Sequence, residues 1–341
     1  IGFRAEGGPG IGMGHIMRCL TLAQEFKASG HEVIFISNHR DGRETVTDAG
    51  FRTVTTGHGQ ESEAIAAIIT SQHLDCLIVD SYRVDRDYFH RLKSILRLLC
   101  YIDDLNRFIY PVDILINGNF GAETWGYQKY EPDEVLLLGT RYNLIRKEFQ
   151  NLSPAQLKTA VSRILITMGA ADPVNFSARL IHGLRQDRTL DSVTLDVVVG
   201  PSNPFDCELQ ELSKSYPNIR LHHQVRRMSE LMLQADLAIS AGGSTLYELC
   251  VCGVPTSAVI IADNQEFLVT GLTRSGYIKS LGWHDQVDFG KLSESIRNVD
   301  ISERWSLAAK GRKLIDGYGP GRVRQGIEIA LGKRRRVNFE V

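Results

Sequence analysis

Continuous apolar strands that alternate with amphipathic helices are the feature that most restricts the fold of this chain. Residues 75–80 contain four consecutive apolar residues, 76–79, and end in Asp80, and residues 98–102 are followed by Asp103 and Asp104. Between such runs, apolar residues recur at helical spacing, as in Glu61–Ser71. Strands without polar alternation are typical of a parallel sheet covered on both faces. The sequence therefore predicts an α/β fold.

This alternation occurs twice, which predicts two Rossmann-like domains with parallel sheets that face each other across a cleft. The first domain is expected over residues 1–149 and the second over 160–318, with a polar linker between them. In the second domain Pro173 is predicted to open a helix, and only helices are predicted after the strand at 255–261. A last helix, within 319–341 and beginning at Arg322, is expected to pack back on the first domain.

Composition excludes several classes of partner. The 341 residues carry a net charge of −1, so they lack the basic field that nucleic-acid binding needs. No apolar run is long enough to insert into a membrane and no signal peptide is visible, so we expect a cytoplasmic protein. The six cysteines form no CxxC pair, and we predict reduced thiols, no metal site and no cofactor. The basic run at residues 333–336 is interpreted as a solvated helix end.

The N-terminal glycine-rich stretch carries the first candidate site. Gly10, Gly12 and Gly14 precede His15, where an amphipathic helix begins. A helix N-terminus disfavours an imidazolium, so His15 is expected to be neutral and able to accept a proton. The alternative is a glycine turn that a histidine helps to cap. The ends of the other predicted strands bring further polar residues to the same edge of the sheet, namely Asp80, Asp103 and Asn117.

A second candidate site lies in the other domain, where a strand, a glycine turn and a helix start follow one another. Glycines allow a phosphate to approach the backbone, and the helix start offers N–H groups to it. The alternative is an ordinary N-cap serine with a surface glutamate. Residues expected to bind a nucleotide diphosphate and its ribose here are Gly243, Ser244, Thr245 and Glu248, with Asn264 and Gln265 after the next strand.

These motifs together resemble the GT-B superfamily. The likeness is to the UDP-sugar hydrolases of pseudaminic acid biosynthesis, a nonulosonate pathway, which are similar to the peptidoglycan N-acetylglucosaminyltransferase. It extends over nearly the whole chain. The matching residues are Gly12-x-Gly14-His15-x-x-Arg18-Cys19-Leu20, Val79-Asp80-x-Tyr82, Ile102-Asp103-Asp104, Tyr142-x-Leu144-Ile145-Arg146-x-Glu148-Phe149, Met168-Gly169-x-x-Asp172, Ser240-Ala241-Gly242-Gly243-Ser244-Thr245-Leu246-Tyr247-Glu248-Leu249 and Asp263-Asn264-Gln265.

The resemblance implies hydrolysis of UDP-2,4-diacetamido-2,4,6-trideoxy-β-L-altrose by water, with inversion and without a metal. It implies that His15 is the base. From their positions, Asp80 or Asp103 is expected to orient the ring or bind sugar hydroxyls, with the alternative that either simply ends its strand, which is the role expected of Asp104. Gly14, Arg18 and Tyr82 are expected to bind substrate. Two alternatives stay open at this point: an inverting glycosyltransferase with a UDP-sugar donor, and a binding protein without catalysis. Oligomeric state is not predicted.

Overall fold

A computed structural model describes residues 1–8, 12–57 and 61–337, except for the side chains of 335–337. Of the predicted glycine turn, Gly10 and Ile11 therefore lie outside the described residues, as do the last two side chains of the predicted basic helix end. The chain divides into two compact units. The first comprises Ile1–Lys147 with Gly317–Val341, and the second Glu148–Asp316.

The first unit is built on a parallel sheet of seven described strands, in the order β3-β2-β1-β4-β5-β6-β7. Its central strands are buried along their whole length, because helices cover both faces of the sheet. In chain order the strands are β1 (Gly2–Ala5), β2 (Ile34–Ile36), β3 (Arg52–Val54), β4 (Cys76–Asp80), β5 (Leu98–Ile102), β6 (Ile114–Asn117) and β7 (Val135–Leu138).

The helices of the first unit include the last helix of the chain. They are α1 (Gly14–Ala28), α2 (Arg40–Asp48), α3 (Glu61–Ser71), α4 (Arg86–Lys93) and α12 (Gly319–Val337). Val323 and Ile327 of α12 are fully buried in the same apolar cluster as Phe3 of β1 and Ile16 of α1. The terminal helix thus packs on α1 and completes the core of the first unit.

The second unit repeats the pattern with a parallel sheet of six described strands, in the order β10-β9-β8-β11-β12-β13. Its strands are β8 (Arg163–Thr167), β9 (Thr194–Val199), β10 (Ile219–His223), β11 (Leu237–Ala241), β12 (Thr256–Ile260) and β13 (Lys279–Trp283). Its helices are α5 (Phe176–Arg185), α6 (Asp206–Ser215), α7 (Met228–Met232), α8 (Thr245–Cys252), α9 (Glu266–Arg274), α10 (Phe289–Asn298) and α11 (Ile301–Leu314).

Three local predictions are wrong. Helix α5 begins at Phe176 and not at Pro173, because the Asp172 carboxylate accepts the Phe176 N–H at 2.8 Å and thereby caps the helix start. Strand β13 was predicted as helix, and it is a half-buried edge strand with polar residues and a glycine. Helix α12 begins at Gly319, since a proline at its second position is tolerated within the first turn. Among the described helices, none is long and apolar enough to cross a membrane.

The strand order of each sheet fixes where a ligand can bind. Chain connections leave β1 toward β2 on one side and return to β4 on the other, so a crevice opens at the carboxyl ends of β1 and β4. In the second unit the same reversal lies between β8 and β11. His15 follows β1 and Asp80 ends β4, while Gly243 follows β11. Each predicted site therefore lies at the reversal point of its own sheet.

Candidate functional site

Asp80 lies at the centre of the site in the first unit. It is the last residue of β4, opposite Ala5 of β1, and its side chain is fully buried. Helix α1 carries His15, and Arg18 and Cys19 follow it three and four residues further along the helix. Side chains with this spacing share one face of a helix, and here that face is turned to Asp80.

The Asp80 carboxylate binds all three of these side chains. His15 Nδ1 lies 2.6 Å from Oδ1, and the Cys19 thiol donates to Oδ2 at 3.5 Å. Arg18 forms a two-pronged ion pair, with Nη2 donating to Oδ1 and Nε to Oδ2, each at 2.5 Å. A buried carboxylate needs such partners, since an unpaired charge in the interior is costly.

The contact between His15 and Asp80 fixes the tautomer of the imidazole. A carboxylate oxygen accepts hydrogen bonds, so a separation of 2.6 Å requires the proton on Nδ1. In the neutral ring Nε2 then carries the lone pair and is the nitrogen that can accept a proton. Asp80 also stabilises the imidazolium that forms when it does so. Of the two carboxylates considered as partners of His15, Asp80 is the one in contact.

Arg18 connects this pair to a second carboxylate. Its remaining nitrogen, Nη1, donates to Asp104 Oδ2 at 2.7 Å, so every guanidinium nitrogen contacts an aspartate. Burial by itself would raise the pKa of Asp80, but the charge of Arg18 and the hydrogen bonds from Arg18 and His15 leave that pKa below its ordinary value. Arg18 was predicted to bind substrate. In the structure its guanidinium contacts two aspartates of the protein, and substrate binding by Arg18 stays a prediction.

Tyr82 lies next to His15 and is the exposed part of the cluster. Its ring meets the imidazole edge-on with centroids 4.6 Å apart, and 43% of the residue is exposed. Its hydroxyl donates to Asp104 at 2.9 Å. Burial and the negative charge of Asp104 raise the pKa of Tyr82, so the hydroxyl stays protonated as a donor. An exposed aromatic face beside an imidazole is a surface against which a sugar ring can pack.

Asp103 occupies a different, buried network. Its carboxylate accepts the hydroxyls of Tyr110 at 2.9 Å and Tyr127 at 2.5 Å and the Asn106 N–H at 2.7 Å. The predicted strand-end residue Asn117 joins it by donating to the Tyr127 hydroxyl. The structure therefore brings together His15, Asp80, Arg18 and Tyr82. Asp103 does not contact them in the same way and instead holds the loops that carry Tyr110 and Tyr127.

The sequence-based reasoning missed Asp104 and Asn119. Asp104 was interpreted as the end of a strand, and Asn119 was not considered. Asn119 Nδ2 donates to Asp104 Oδ1 at 2.7 Å, so both belong to the cluster around Arg18. The available signal was position, because Asp104 follows β5, which lies beside β4, and Asn119 follows β6, which lies beside β5.

Gly14 begins α1 immediately before His15. Among the described residues, no heavy atom lies within 4 Å of a Cβ built at Gly14, and its φ is outside the positive region. Neither backbone conformation nor packing within the described protein therefore explains the glycine. Gly12 differs, since its φ of +83° favours glycine for conformational reasons.

In the second unit the turn after β11 is held tightly. The Gly242 N–H donates to Gln265 Oε1 at 3.1 Å, and the Ile261 N–H donates to the same oxygen at 3.0 Å. A Cβ at Gly242 would lie 2.5 Å from Val269 Cγ2, so close packing accounts for this glycine. Gln265, predicted near the diphosphate, uses its carbonyl oxygen to connect the ends of β11 and β12.

Gly243 is the open position of this turn. Around a Cβ built there, the described part of the chain has no heavy atom within 4 Å. Ser244 is exposed and immediately precedes α8, whose first residue is Thr245. Glu248 is half-buried in the first turn of that helix, and Asn264 is exposed in the turn after β12. The six residues predicted for this site thus lie in the segments that follow two neighbouring strands, β11 and β12.

Solved structures share this architecture. The crystal structure of MurG from Acinetobacter baumannii has a TM-score of 0.70 at 15% identity, covering 96% of this chain and 98% of that chain. The fold is GT-B. The predicted fold class is therefore confirmed. Another GT-B structure, the glycosyltransferase VinC in complex with dTDP, has a TM-score of 0.67 at 11% identity, covering 96% of this chain and 98% of VinC.

Curated relatives are similar at the sequence level. SpsG, a spore coat polysaccharide biosynthesis protein of Bacillus subtilis, is 25% identical over 333 residues, 95% of this chain and 96% of SpsG. The UDP-2,4-diacetamido-2,4,6-trideoxy-β-L-altropyranose hydrolase of Campylobacter jejuni is 26% identical over 278 residues, 81% of this chain and 96% of the hydrolase. The resemblance to such hydrolases is thus confirmed as a sequence similarity.

A third relative is longer. An uncharacterized protein of Methanocaldococcus jannaschii is 26% identical over 273 residues, which cover 76% of this chain and 55% of that protein. The chain thus spans about half the length of this archaeal relative. No family model matches the sequence.

Proposed function

We propose that this GT-B protein is a UDP-sugar hydrolase in which His15 is the general base. The observation that carries the proposal is the pairing of His15 Nδ1 with buried Asp80 at the reversal point of the sheet. This pairing leaves Nε2 to accept a proton, which is the group needed to activate water. The name of the Campylobacter jejuni relative supplies the substrate to test, a UDP-linked 2,4-diacetamido-2,4,6-trideoxy sugar.

The proposed reaction is a single displacement. His15 Nε2 takes a proton from water as the water oxygen forms a bond to the anomeric carbon. The bond between that carbon and the diphosphate oxygen breaks, and UDP leaves with the electron pair. Attack from the face opposite UDP inverts the anomeric configuration. The imidazolium, stabilised by Asp80, then returns its proton to solvent.

We assign UDP to the turn and helix start of the second unit. The N–H groups at the start of α8 favour the diphosphate, and Glu248 is placed to accept hydrogen bonds from the ribose hydroxyls. Support comes from Gly243, whose missing side chain leaves room at this helix start. Ser244, Thr245 and Asn264 supply polar groups nearby, and Gln265 holds the turn in shape.

The test is release of UDP from the UDP-linked trideoxy sugar without an acceptor. We expect wild-type protein to release UDP, and His15→Ala to be slower by about 10²–10⁴-fold, the usual contribution of a general base. UDP binding, measured by calorimetry, should be unchanged in the variant. His31→Ala is the matched control, because His31 lies in the same unit but pairs with Glu328 of α12.

The outcomes of this test separate three functions. Release that depends on an added acceptor would identify a glycosyltransferase. UDP binding without release under either condition would identify a binding protein. Release that persists in His15→Ala would contradict the role of His15 and leave hydrolysis standing.

Two adjacent glycines test the UDP assignment. We expect Gly243→Ala to fold normally, because its Cβ meets only open space, and to bind UDP roughly tenfold more weakly by filling the ligand's room. We expect Gly242→Ala to lower the free energy of unfolding by about 1–3 kcal/mol, since its Cβ would collide with Val269 and Gln265. Calorimetric titration and thermal unfolding measure the two effects. If Gly243→Ala binds UDP as tightly as wild type, the assignment of UDP to this turn is wrong.

A further inference from the structure

Asp104 receives hydrogen bonds from three separate segments of the first unit. Arg18 of α1 and Tyr82 after β4 donate to its Oδ2, and Asn119 after β6 donates to its Oδ1. Asp104 itself lies in the loop after β5. One half-buried carboxylate thus joins the helix that carries His15 to the loops that surround it.

The contact with Arg18 bears directly on the tautomer of His15. Arg18 Nη2 donates to Asp80 Oδ1, which is also the partner of His15 Nδ1, and Nη2 itself lies only 3.2 Å from that Nδ1. If the guanidinium turned slightly, Nη2 could donate to Nδ1 instead. The ring proton would then move to Nε2, and the ring could no longer act as the base.

Asp104 opposes this rotation. With its two hydrogen bonds to Asp80 alone, the guanidinium can still tilt relative to the carboxylate plane. The third hydrogen bond, from Nη1 to Asp104, fixes the plane of the guanidinium. Asp104 also restrains a second neighbour of the imidazole, because it accepts the hydroxyl of Tyr82, whose ring lies edge-on to His15. Two groups next to His15, Arg18 and Tyr82, are therefore held by Asp104.

We propose that Asp104 is a positioning residue that keeps Arg18 on Asp80 and thereby keeps the proton of His15 on Nδ1. The catalytic meaning of this arrangement rests on the proposed function of His15, but the tautomer itself does not. The sequence reasoning assigned Asp104 no role beyond ending its strand. In this role Asp104 acts through Arg18 and does not itself contact the reacting atoms.

The experiment compares wild type with Asp104→Asn by kinetics and by nitrogen NMR of protein labelled at its histidines. The His15 signals are identified by their loss in His15→Ala. We expect wild type to show the Nδ1–H tautomer and Asp104→Asn a mixture of both tautomers. We expect kcat to fall by about 10–100-fold, because a slightly misplaced catalytic group has effects of that size, while KM changes less than about twofold.

Asp113→Asn is the matched control. Asp113 immediately precedes β6, so it lies at the amino ends of the strands, whereas Asp104 lies at their carboxyl ends. Asp113 also pairs with an arginine, Arg334, at 2.5 Å. We expect this variant to lose stability while its kcat and the His15 signals stay as in wild type. Asn119→Ala is the second test variant, for use if Asp104→Asn fails to fold. It removes one donor from Asp104 and should lower kcat several-fold with a smaller tautomer change.

The results separate this inference from the proposed function. An unchanged His15 tautomer in folded Asp104→Asn, or in Asn119→Ala if the former does not fold, overturns the positioning role whatever the activity. If Asp104→Asn shows a mixture of tautomers and wild type releases no UDP, the positioning role is supported and hydrolysis is rejected. Equal losses of kcat in Asp104→Asn and Asp113→Asn, with unchanged signals, would mean that Asp104 is only structural.

Discussion

Asp80→Asn is expected to lower acceptor-free UDP release by about 10²–10⁴-fold, as much as His15→Ala, since the same replacement in a Ser-His-Asp triad costs about 10⁴-fold. Asparagine offers one oxygen and one NH₂ group where Asp80 offers two oxygens. In either orientation the NH₂ group meets a donor of Arg18, because Arg18 donates to both oxygens of Asp80. With the NH₂ group at the Oδ1 position, His15 Nδ1 must accept a hydrogen bond and its proton moves to Nε2. With the oxygen at that position, the neutral amide no longer supplies the charge that stabilises the imidazolium. Steady-state UDP release measures the loss.

Asp196→Asn is the control for this prediction. Asp196 is a buried aspartate of β9 that contacts His222 Nε2 at 2.7 Å and Arg163 Nε at 2.5 Å, so it has the same types of partner as Asp80. We expect its replacement to lower stability and to leave turnover per folded molecule within about twofold, because it lies outside the proposed site. Asp80→Asn with more than a tenth of wild-type activity would contradict the proposed role of Asp80.

The pair of similar clusters also shows why residue types alone do not define a site. His222, Asp196 and Arg163 form a His-Asp-Arg cluster, but Asp196 is the third residue of its strand. Asp80 is the last residue of its strand, at the reversal point of the sheet, where the backbone opens toward a ligand. Position in the fold, and not composition, distinguishes the proposed site from a buried ion-pair network.

Much of the fold could be predicted because its signals are local. A run such as Cys76–Asp80, buried at every residue, has a pattern that few structures other than a central parallel strand accommodate. Strand β13 could not be recognised in this way. Among the described strands β13 pairs with β12 alone, it includes Gly282, and it is half-buried, so its sequence lacks the continuous apolar character of the central strands.

The site was predictable in part for the same reason. His15 and Asp80 are marked by a helix start and a strand end, both of which can be recognised in the sequence. The choice between Asp80 and Asp103 depended on which side chains each carboxylate contacts in the folded chain, and the sequence does not encode those contacts locally. The partners of Arg18 lie 62 and 86 residues away, so its engagement with two aspartates could be seen only in the folded chain.

Arg18→Met is expected to lower the free energy of unfolding at pH 7 by about 3–5 kcal/mol, because it leaves the buried Asp80 carboxylate without its cation. Methionine keeps much of the apolar stem of arginine, so the loss reports mainly on charge. Urea unfolding followed by circular dichroism at pH 7 and at pH 4 measures it. Arg40→Met, which removes an exposed ion pair with Glu44, is the control and should cost at most about 1 kcal/mol.

The pH dependence gives this prediction its sign. In wild type the pKa of Asp80 is lowered, so its ionisation stabilises the folded state above the unfolded pKa of about 4, and that stability is lost as pH falls through the lower folded pKa. Without Arg18, burial dominates and raises the pKa of Asp80 above its unfolded value. The folded variant then binds a proton more readily than the unfolded chain, and its stability rises as pH falls from 7 toward 4. The gap to wild type should therefore narrow at pH 4, and a gap that stays constant would mean that Asp80 is not the group left unpaired.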